Sequence, residues 1–178
     1  MKTLKRVAIV LLILLSLPFL SALFLPRKFV IEREVVIKKP KQEVFDYVKH
    51  LKNQEKYSKW ALIDPKMKTS YRGTDGTVGF VMAWESNNQD VGKGEQEITK
   101  IAEGDRVDVE IRISEPFQSV DPAYTATEAV ADDQTRVKSV YLGKMPYPMN
   151  LLCGYVQNKI GEDMATGLTT LKNLLEKP

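Results

Sequence analysis

The sequence predicts an α+β domain in which a curved antiparallel sheet of about seven strands wraps around a long C-terminal helix, with an apolar helix in front of the domain. Three observations carry this prediction. Residues 7–25 contain no charge, residues 68–142 form a succession of strand-like segments, and residues 149–176 repeat apolar side chains at helical spacing. Sequential strands favour antiparallel pairing because each parallel pair needs a long crossover. One domain over residues 29–178 accounts for the whole body.

The uncharged segment 7–25 is long enough to cross a membrane as a helix. Its 19 residues rise about 1.5 Å each and nearly span a hydrocarbon core of about 30 Å. The flanks are basic: Lys2, Lys5 and Arg6 lie in a tail of residues 1–6, and Arg27 and Lys28 lie in a linker of residues 26–28. The positive charge before the segment predicts a single-pass membrane anchor with a cytoplasmic N terminus and an extracytoplasmic body.

A cleaved signal peptide is the alternative for the same segment. Pro18 suits the end of its apolar core, and Ser21 and Ala22 are small enough to lie near a cleavage point. Against cleavage, Leu20 is bulky two positions before Ala22, and residues 23–25 continue the apolar run. An uncleaved anchor is therefore the favoured prediction, and cleavage would make the body a secreted protein.

The body begins with a strand and a short helix. Residues 29–38 alternate, with Phe29, Ile31, Val35 and Ile37 on one face. Pro40 ends this strand and suits the first turn of a helix. The apolar residues of that helix recur at helical spacing: Val44, Phe45, Val48 and Leu51. A polar helical turn over residues 53–58 follows and ends at Trp60.

Strands and turns then alternate along the chain. The predicted strands cover residues 68–71, 78–84, 92–102, 107–113, 123–131 and 135–142. The clearest is 107–113, where Val107, Val109, Ile111 and Ile113 alternate with charged residues, so that one face is buried and one is wet. The final helix carries a continuous apolar stripe: Leu152, Val156, Ile160, Met164, Leu168, Leu171 and Leu175.

The charge distribution argues against nucleic-acid binding. The formal net charge is +3, but residues 1–28 contain five basic and no acidic residues. The rest of the chain has 21 basic and 23 acidic residues, without a basic run.

Cys153 is the single cysteine, so no disulfide forms within the chain, and its apolar surroundings predict a buried, unreactive thiol.

Four stretches carry a resemblance to a known superfamily. They are residues 36–40 followed by Val44-Phe45; Trp60 with Asp64-Pro65; Gly79-Phe80 with Trp84 and then residues 91–94; and residues 160–164 with Gly167, Leu168, Leu171 and Lys172. In this order they resemble the polyketide cyclase/dehydrase branch of the START-like, or helix-grip (SRPBCC), superfamily. The resemblance implies a helix-grip fold with an apolar cavity between sheet and helix. The N-terminal membrane segment is a departure from most members.

The resemblance leaves several functions open, because the superfamily includes lipid and sterol carriers, polyketide cyclases and protein-interaction modules. The leading hypothesis is a membrane-tethered protein that binds a small hydrophobic or amphipathic ligand such as a lipid, isoprenoid or aromatic compound. One alternative is a polyketide cyclase or hydratase-like enzyme, in which polar groups of the pocket move protons. The other is a protein-interaction module without a ligand, which would bind a protein partner.

The sequence holds no strong catalytic motif. It contains no Gly-x-Ser-x-Gly, no phosphate-binding glycine loop and no metal-ligand spacing, so we expect neither a cofactor nor a metal, and the catalytic residues stay unknown. His50 is the single histidine and is predicted to lie in solvent at the end of a short helix.

The candidate cavity residues are large apolar, aromatic or polar side chains on predicted strands and helices. They are Trp60, Tyr71, Phe80, Met82, Trp84, Gln96, Ile111, Tyr124, Glu128, Tyr141 and Met164. Phe80, Met82 and Trp84 form an apolar row that suits either a packed core or a cavity wall. Glu128 becomes a candidate acid or base if it points inward, although a surface position is the favoured interpretation.

Overall fold

A seven-stranded antiparallel sheet forms the body of the molecule, with a long C-terminal helix packed along one side of it. This computed structural model describes residues 2–177 and confirms the predicted α+β fold. The helices are α1 (Lys2–Ala22), α2 (Lys41–Val48), α3 (Lys59–Ile63) and α4 (Cys153–Leu175), with 3₁₀ helices at Leu51–Lys56 and Met149–Leu152.

The strands follow one another around the sheet in the order β1-β7-β6-β5-β4-β3-β2. They are β1 (Lys28–Ile37), β2 (Lys68–Arg72), β3 (Val81–Glu85), β4 (Lys93–Ala102), β5 (Arg106–Glu115), β6 (Ser119–Ala131) and β7 (Gln134–Lys144). The first strand thus pairs with the last, which leaves β1 and β2 at the two edges.

Most strand bounds lie within two residues of the sequence prediction, but two strands begin three or more residues away from it. β3 begins at Val81 instead of residue 78, because Gly79 has a φ of +87° and still belongs to the preceding turn. β6 begins at Ser119, four positions before the predicted start at residue 123. Pro122 does not interrupt this strand, because its pairing with Glu110 of β5 lies within a continuous register.

The α4 helix covers the free edge of β1. Gln157 Nε2 donates a hydrogen bond to the Val30 carbonyl at 3.2 Å, and Lys172 Nζ donates to the Val36 carbonyl at 2.6 Å. Between them, Arg33 Nη1 donates to the Glu32 carbonyl at 2.8 Å. These side chains donate to carbonyls that the N–H groups of a further strand would otherwise bond, so this edge is closed to further pairing.

The core consists of two apolar clusters joined through α2. One contains Phe45 and Leu51 against the concave faces of β3, β4 and β5. The other contains Val44 and Val48 with Leu168 and Leu171 of α4, against β1 and β7. Successive residues of α2 therefore belong to different clusters, and this helix fixes α4 relative to the far half of the sheet.

The N-terminal helix meets the body at the start of α4. Asn150 is buried, and its Nδ2 donates to the carbonyls of Ala22 at 2.7 Å and Leu25 at 3.1 Å. Within α1, residues Lys5–Ala22 are long and apolar enough to cross a membrane, a property that a signal sequence shares. Its position at the N terminus agrees with the predicted apolar segment.

We predict that Leu171→Ala lowers the free energy of unfolding by about 2–5 kcal/mol, because Leu171 is 1% exposed between α4 and the sheet. Chemical denaturation of the full chain in detergent measures this change. Leu62→Ala is the matched control, since Leu62 is 46% exposed on α3 and should change stability by less than about 0.5 kcal/mol. Equal effects of the two substitutions would contradict the packing described for α4.

Candidate functional site

One region of the concave face is lined by apolar side chains that are not fully buried. The strand register brings together residues of β1 and of β3 to β7 near the end of the sheet where the chain enters from α1. We call this region the concave cleft, and its lining residues are Phe29, Trp84, Gln96, Ile111, Ile113, Asp121, Ala123 and Tyr141. Most of them are only half-buried, although they point inward.

The position of α4 explains why this cleft is open. The second half of the helix, from Gly161 to Leu171, is buried against the sheet and α3. Its first half is less covered, because Val156 and Ile160 are half-buried and Tyr155 is 72% exposed. The helix therefore closes the concave face at one end of the sheet and leaves it accessible at the other.

A hydroxyl and a carboxylate meet on the floor of the concave cleft. Tyr141 Oη donates a hydrogen bond to Asp121 Oδ2 at 2.7 Å. Asp121 is 3% exposed, and its Oδ1 also accepts from the Lys144 backbone N–H at 3.3 Å. Burial, together with the neighbouring Asp121 carboxylate, raises the pKa of the Tyr141 hydroxyl well above its usual range. Tyr141 therefore stays a neutral donor at physiological pH.

A second polar pair lies across the cleft from Tyr141. Gln96 is buried on β4, and its Nε2 donates to Gln54 Oε1 at 2.7 Å. Ile111 lies between the two pairs, since it is opposite Gln96 on one side and Asp121 on the other. The cleft thus combines apolar walls with a few fixed polar groups, an arrangement typical of small-molecule sites.

Three of the predicted cavity residues belong to the packed core. Phe80 and Met82 are 1% and 6% exposed within the cluster that contains Phe45. Met164 is also buried on the inner side of α4. Phe80 and Met82 therefore support the sheet beneath the cleft, while Trp84 on the same strand stays half-buried and donates from Nε1 to the Val91 carbonyl at 3.3 Å.

Two further candidates point away from the cleft. Tyr124 and Glu128 alternate with the inward-facing Ala123 and Thr127 on β6, so their side chains lie on the convex face. The Tyr124 ring lies 3.5 Å from the Arg106 guanidinium carbon, and Glu128 pairs with Arg136 at 2.9 Å. Glu128 occupies the surface position that the sequence favoured, and neither residue lines the concave cleft.

The remaining candidates lie near the edges of the sheet. Tyr71 of β2 is 37% exposed, its ring stacks on Phe80, and its hydroxyl donates to Glu55. Trp60 is half-buried on α3, which packs against α4. His50 is partly exposed beside Asp75, at 3.4 Å, and takes no part in the cleft.

Cys153 is buried near the start of α4, as the sequence predicted. Its thiol lies 3.7 Å from the Pro26 carbonyl, and burial raises the pKa of the thiol. The raised pKa opposes formation of the nucleophilic thiolate.

The sequence analysis missed four of the cleft residues: Asp121, Ala123, Ile113 and Phe29. Asp121 lay outside the predicted strand because the strand was started at residue 123. Had the alternation been continued through Pro122, Asp121 would have shared a face with Ala123. Phe29 and Ile113 were assigned to buried faces, but their place near the cleft depends on strand register, which alternation does not give.

The convex face carries a groove of a different kind. This groove, with a volume of about 790 Å³, crosses β2 to β5, and Trp84 and Ile113 of the concave cleft also contribute to its lining. Arg112 lies along it and pairs with Glu95 at 2.8 Å, while also binding Glu97 and Glu110. Its charges already neutralise one another on an open surface, so the groove is a weaker candidate for an apolar ligand than the concave cleft. Among residues 2–177, no cluster of His, Cys, Asp or Glu is placed to hold a metal ion.

The fold is shared with proteins of known structure. Truncated norcoclaurine synthase from Thalictrum flavum matches with a TM-score of 0.62 at 12% identity, over 85% of this chain and 96% of that one. The Aha1 protein of Colwellia psychrerythraea, solved as a dimer, matches with a TM-score of 0.58 at 16% identity, over 83% and 96% of the two chains.

A di-domain ARO/CYC protein, BexL, matches with a TM-score of 0.64 at 13% identity, and the match covers 89% of this chain and 54% of the di-domain chain. No protein-family model and no curated protein sequence matches the chain. The structural matches establish that the chain has the helix-grip fold that the sequence resemblance implied.

We predict that Tyr141→Phe lowers the free energy of unfolding by about 1–3 kcal/mol, because Asp121 loses its hydroxyl donor while staying buried. Folding raises the pKa of Tyr141 above the value of about 10 that a tyrosine has in the unfolded chain. Tyr141 therefore contributes its full stabilisation of the folded state below about pH 10, and this contribution is lost as the pH rises further. The variant should therefore lose stability less steeply above about pH 10 than the wild type does.

Denaturation curves of the full chain between neutral and alkaline pH measure both effects. Tyr124→Phe removes the same hydroxyl on the opposite face of the sheet and should change the neutral-pH stability by less than about 0.5 kcal/mol. The assignment fails if the Tyr141 and Tyr124 variants behave alike.

Proposed function

We propose that the protein is a membrane-tethered binding protein that holds a small hydrophobic or amphipathic molecule in the concave cleft. The observation that carries the proposal is the contrast within one face of the sheet. Phe80 and Ile98 are almost fully buried there, whereas Ile111, Ile113 and Trp84 are only half-buried at the neighbouring positions toward α1. Inward-facing apolar side chains that remain accessible to water favour an apolar ligand.

The energy available from such a site is sufficient for affinity without charged contacts. Each 100 Å² of apolar ligand surface that leaves water contributes about 2.5 kcal/mol, so a lipid tail or an aromatic ring system gains several kcal/mol in the cleft. The polar groups then set orientation. Tyr141 and Asp121 lie on the floor, where a ligand hydroxyl or carbonyl would exchange hydrogen bonds with them.

The tether is supported by the chain between α1 and the cleft. β1 begins at Lys28, six positions after α1 ends, and Phe29 of this strand already lines the cleft. If α1 lies in a bilayer, the open end of the cleft is close to the membrane surface. The positive residues before the apolar segment favour a cytoplasmic N terminus and an extracytoplasmic body.

Retention of α1 is supported by its contact with the body. Asn150 donates to the carbonyls of Ala22 and Leu25, so cleavage near Ala22 would remove a partner of a buried amide. We expect the protein isolated from membranes to have an intact mass that includes residues 7–25. A mature protein that begins after residue 22 would contradict the anchor and favour secretion.

We predict that Ala123→Phe reduces ligand occupancy about tenfold or more, because the added ring fills the half-buried space beside Tyr141. The full chain is purified in detergent from the membranes of the cells that express it. Native mass spectrometry then shows whether the protein retains a molecule of lipid-like mass. Ala126→Phe is the matched control, since Ala126 lies on the same strand with its side chain on the opposite face.

Retention by Ala126→Phe but not by Ala123→Phe supports a ligand in the concave cleft. Equal retention by both variants would contradict this site. A wild-type protein that retains no small molecule and takes up no apolar probe would favour the interaction-module alternative.

An enzyme of the cyclase or hydratase type is the second candidate, and the Tyr141–Asp121 pair is the observation that favours it. A hydroxyl bonded to a buried carboxylate in an apolar cleft is able to position a substrate oxygen or pass a proton. Incubation of the retained ligand with fresh protein separates the two functions. An unchanged ligand mass supports binding alone, and a conversion that Tyr141→Phe abolishes supports the enzyme.

A further inference from the structure

We propose that a second site, adjacent to the concave cleft, binds the head group of an anionic phospholipid at the junction between α1 and the body. The site is a cleft of about 430 Å³, which we call the junction cleft. Its lining includes Leu25, Lys28, Asn150, Cys153 and Gly154, together with Phe29, which also lines the concave cleft. The proposal rests on the insertion of α1 into a membrane, and it does not depend on a ligand in the concave cleft.

The strongest observation is a buried polar atom without a partner. Asn150 is 2% exposed, and its Oδ1 makes no hydrogen bond among the residues that the structure describes. The orientation of the amide is fixed, since Nδ2 donates to the carbonyls of Ala22 and Leu25. Oδ1 is therefore an acceptor that requires a donor, and an unpaired buried acceptor destabilises the fold. A hydroxyl group of a bound molecule supplies that donor.

The charge around the junction cleft indicates the rest of the ligand. Lys28 lines the cleft. Arg27 precedes it in the chain, Lys144 is its partner on β7, and both of these residues are exposed. No salt bridge of these three residues is formed within residues 2–177. Basic side chains next to a membrane helix attract anionic lipids. A phosphate near Lys28 and a hydroxyl near Asn150 describe a glycerol-type phospholipid head group.

The apolar surroundings place this site at the level of a bilayer surface. Phe24 is 88% exposed directly after α1, and Leu151, Leu152 and Tyr155 are exposed by 37%, 47% and 72% at the start of α4. These residues lie at the end of the domain where the apolar helix ends, so they are continuous with the proposed membrane span. Aromatic residues with a polar group, such as Tyr155, are enriched at the membrane–water interface, where the ring contacts lipid and the polar group contacts water. A lipid whose head group enters the junction cleft would keep its tails beside α1.

Gly154 offers a way to block the site without disturbing Asn150. A Cβ atom at Gly154 meets no atom within 4 Å, so a larger side chain is tolerated by the fold and projects beside the cleft. Gly154→Trp is the test variant. Tyr155→Trp is the matched control, because Tyr155 is the next residue on α4 and does not line the cleft.

The experiment uses the full chain in nanodiscs that contain equal amounts of phosphatidylglycerol and phosphatidylcholine. Native mass spectrometry after release of the protein from the discs counts the lipids that stay bound. We expect wild type and Tyr155→Trp to retain phosphatidylglycerol in preference to phosphatidylcholine, whose head group has neither a hydroxyl donor nor a net charge. Gly154→Trp should reduce that preference about tenfold.

Several outcomes would overturn the proposal. These are equal retention of the two lipids by wild type, an unchanged preference in Gly154→Trp, and displacement of the bound lipid by free glycerol phosphate without any requirement for tails. Failure of the chain to enter nanodiscs would overturn the membrane insertion on which the site rests. Ala123→Phe should leave the phosphatidylglycerol preference intact, which separates this site from the ligand proposed for the concave cleft.

Discussion

The position of α4 along the edge of β1 is the constraint on which the rest of the structure depends. Gln157 and Lys172 donate to free carbonyls of β1, and Leu168 and Leu171 pack into the apolar cluster behind it. Because the helix is fixed to one edge of the sheet, it cannot also fill the centre of the concave face. The opening beside Tyr141 is thus a consequence of how the C-terminal helix closes the edge strand.

The two ends of the domain consequently have different roles. At the end away from α1, α2 joins both apolar clusters, and the interior is closed by side chains such as Phe45. At the end near α1, half-buried residues line the concave cleft, and Asn150 ties α4 to the chain that leaves α1. Stability and proposed binding are therefore separated along the strands. The proposed ligand would enter at one end, while the packed end maintains the fold.

Much of the fold was predictable because the pattern of apolar residues is strongly periodic. Alternation in residues 107–113 and helical spacing from Leu152 to Leu175 indicated the elements, and the resemblance of four stretches to a known superfamily implied the helix-grip fold. The candidate site was predicted less well. Tyr141, Trp84 and Ile111 lie in the cleft, whereas Tyr124 and Glu128 lie on the convex face, because a one-residue change of parity reverses the direction of every side chain on a strand.

The sequence by itself determined the types and order of the elements, the apolar N-terminal helix and the buried character of Cys153, because these depend on local spacing and composition. The tertiary structure decided which inward-facing residues are packed and which are accessible. It also brought Tyr141 to Asp121 and Asn150 to Ala22, contacts that join residues 20 and 128 positions apart. Such contacts depend on strand register and on the placement of α4, and no local pattern in the chain encodes either of them.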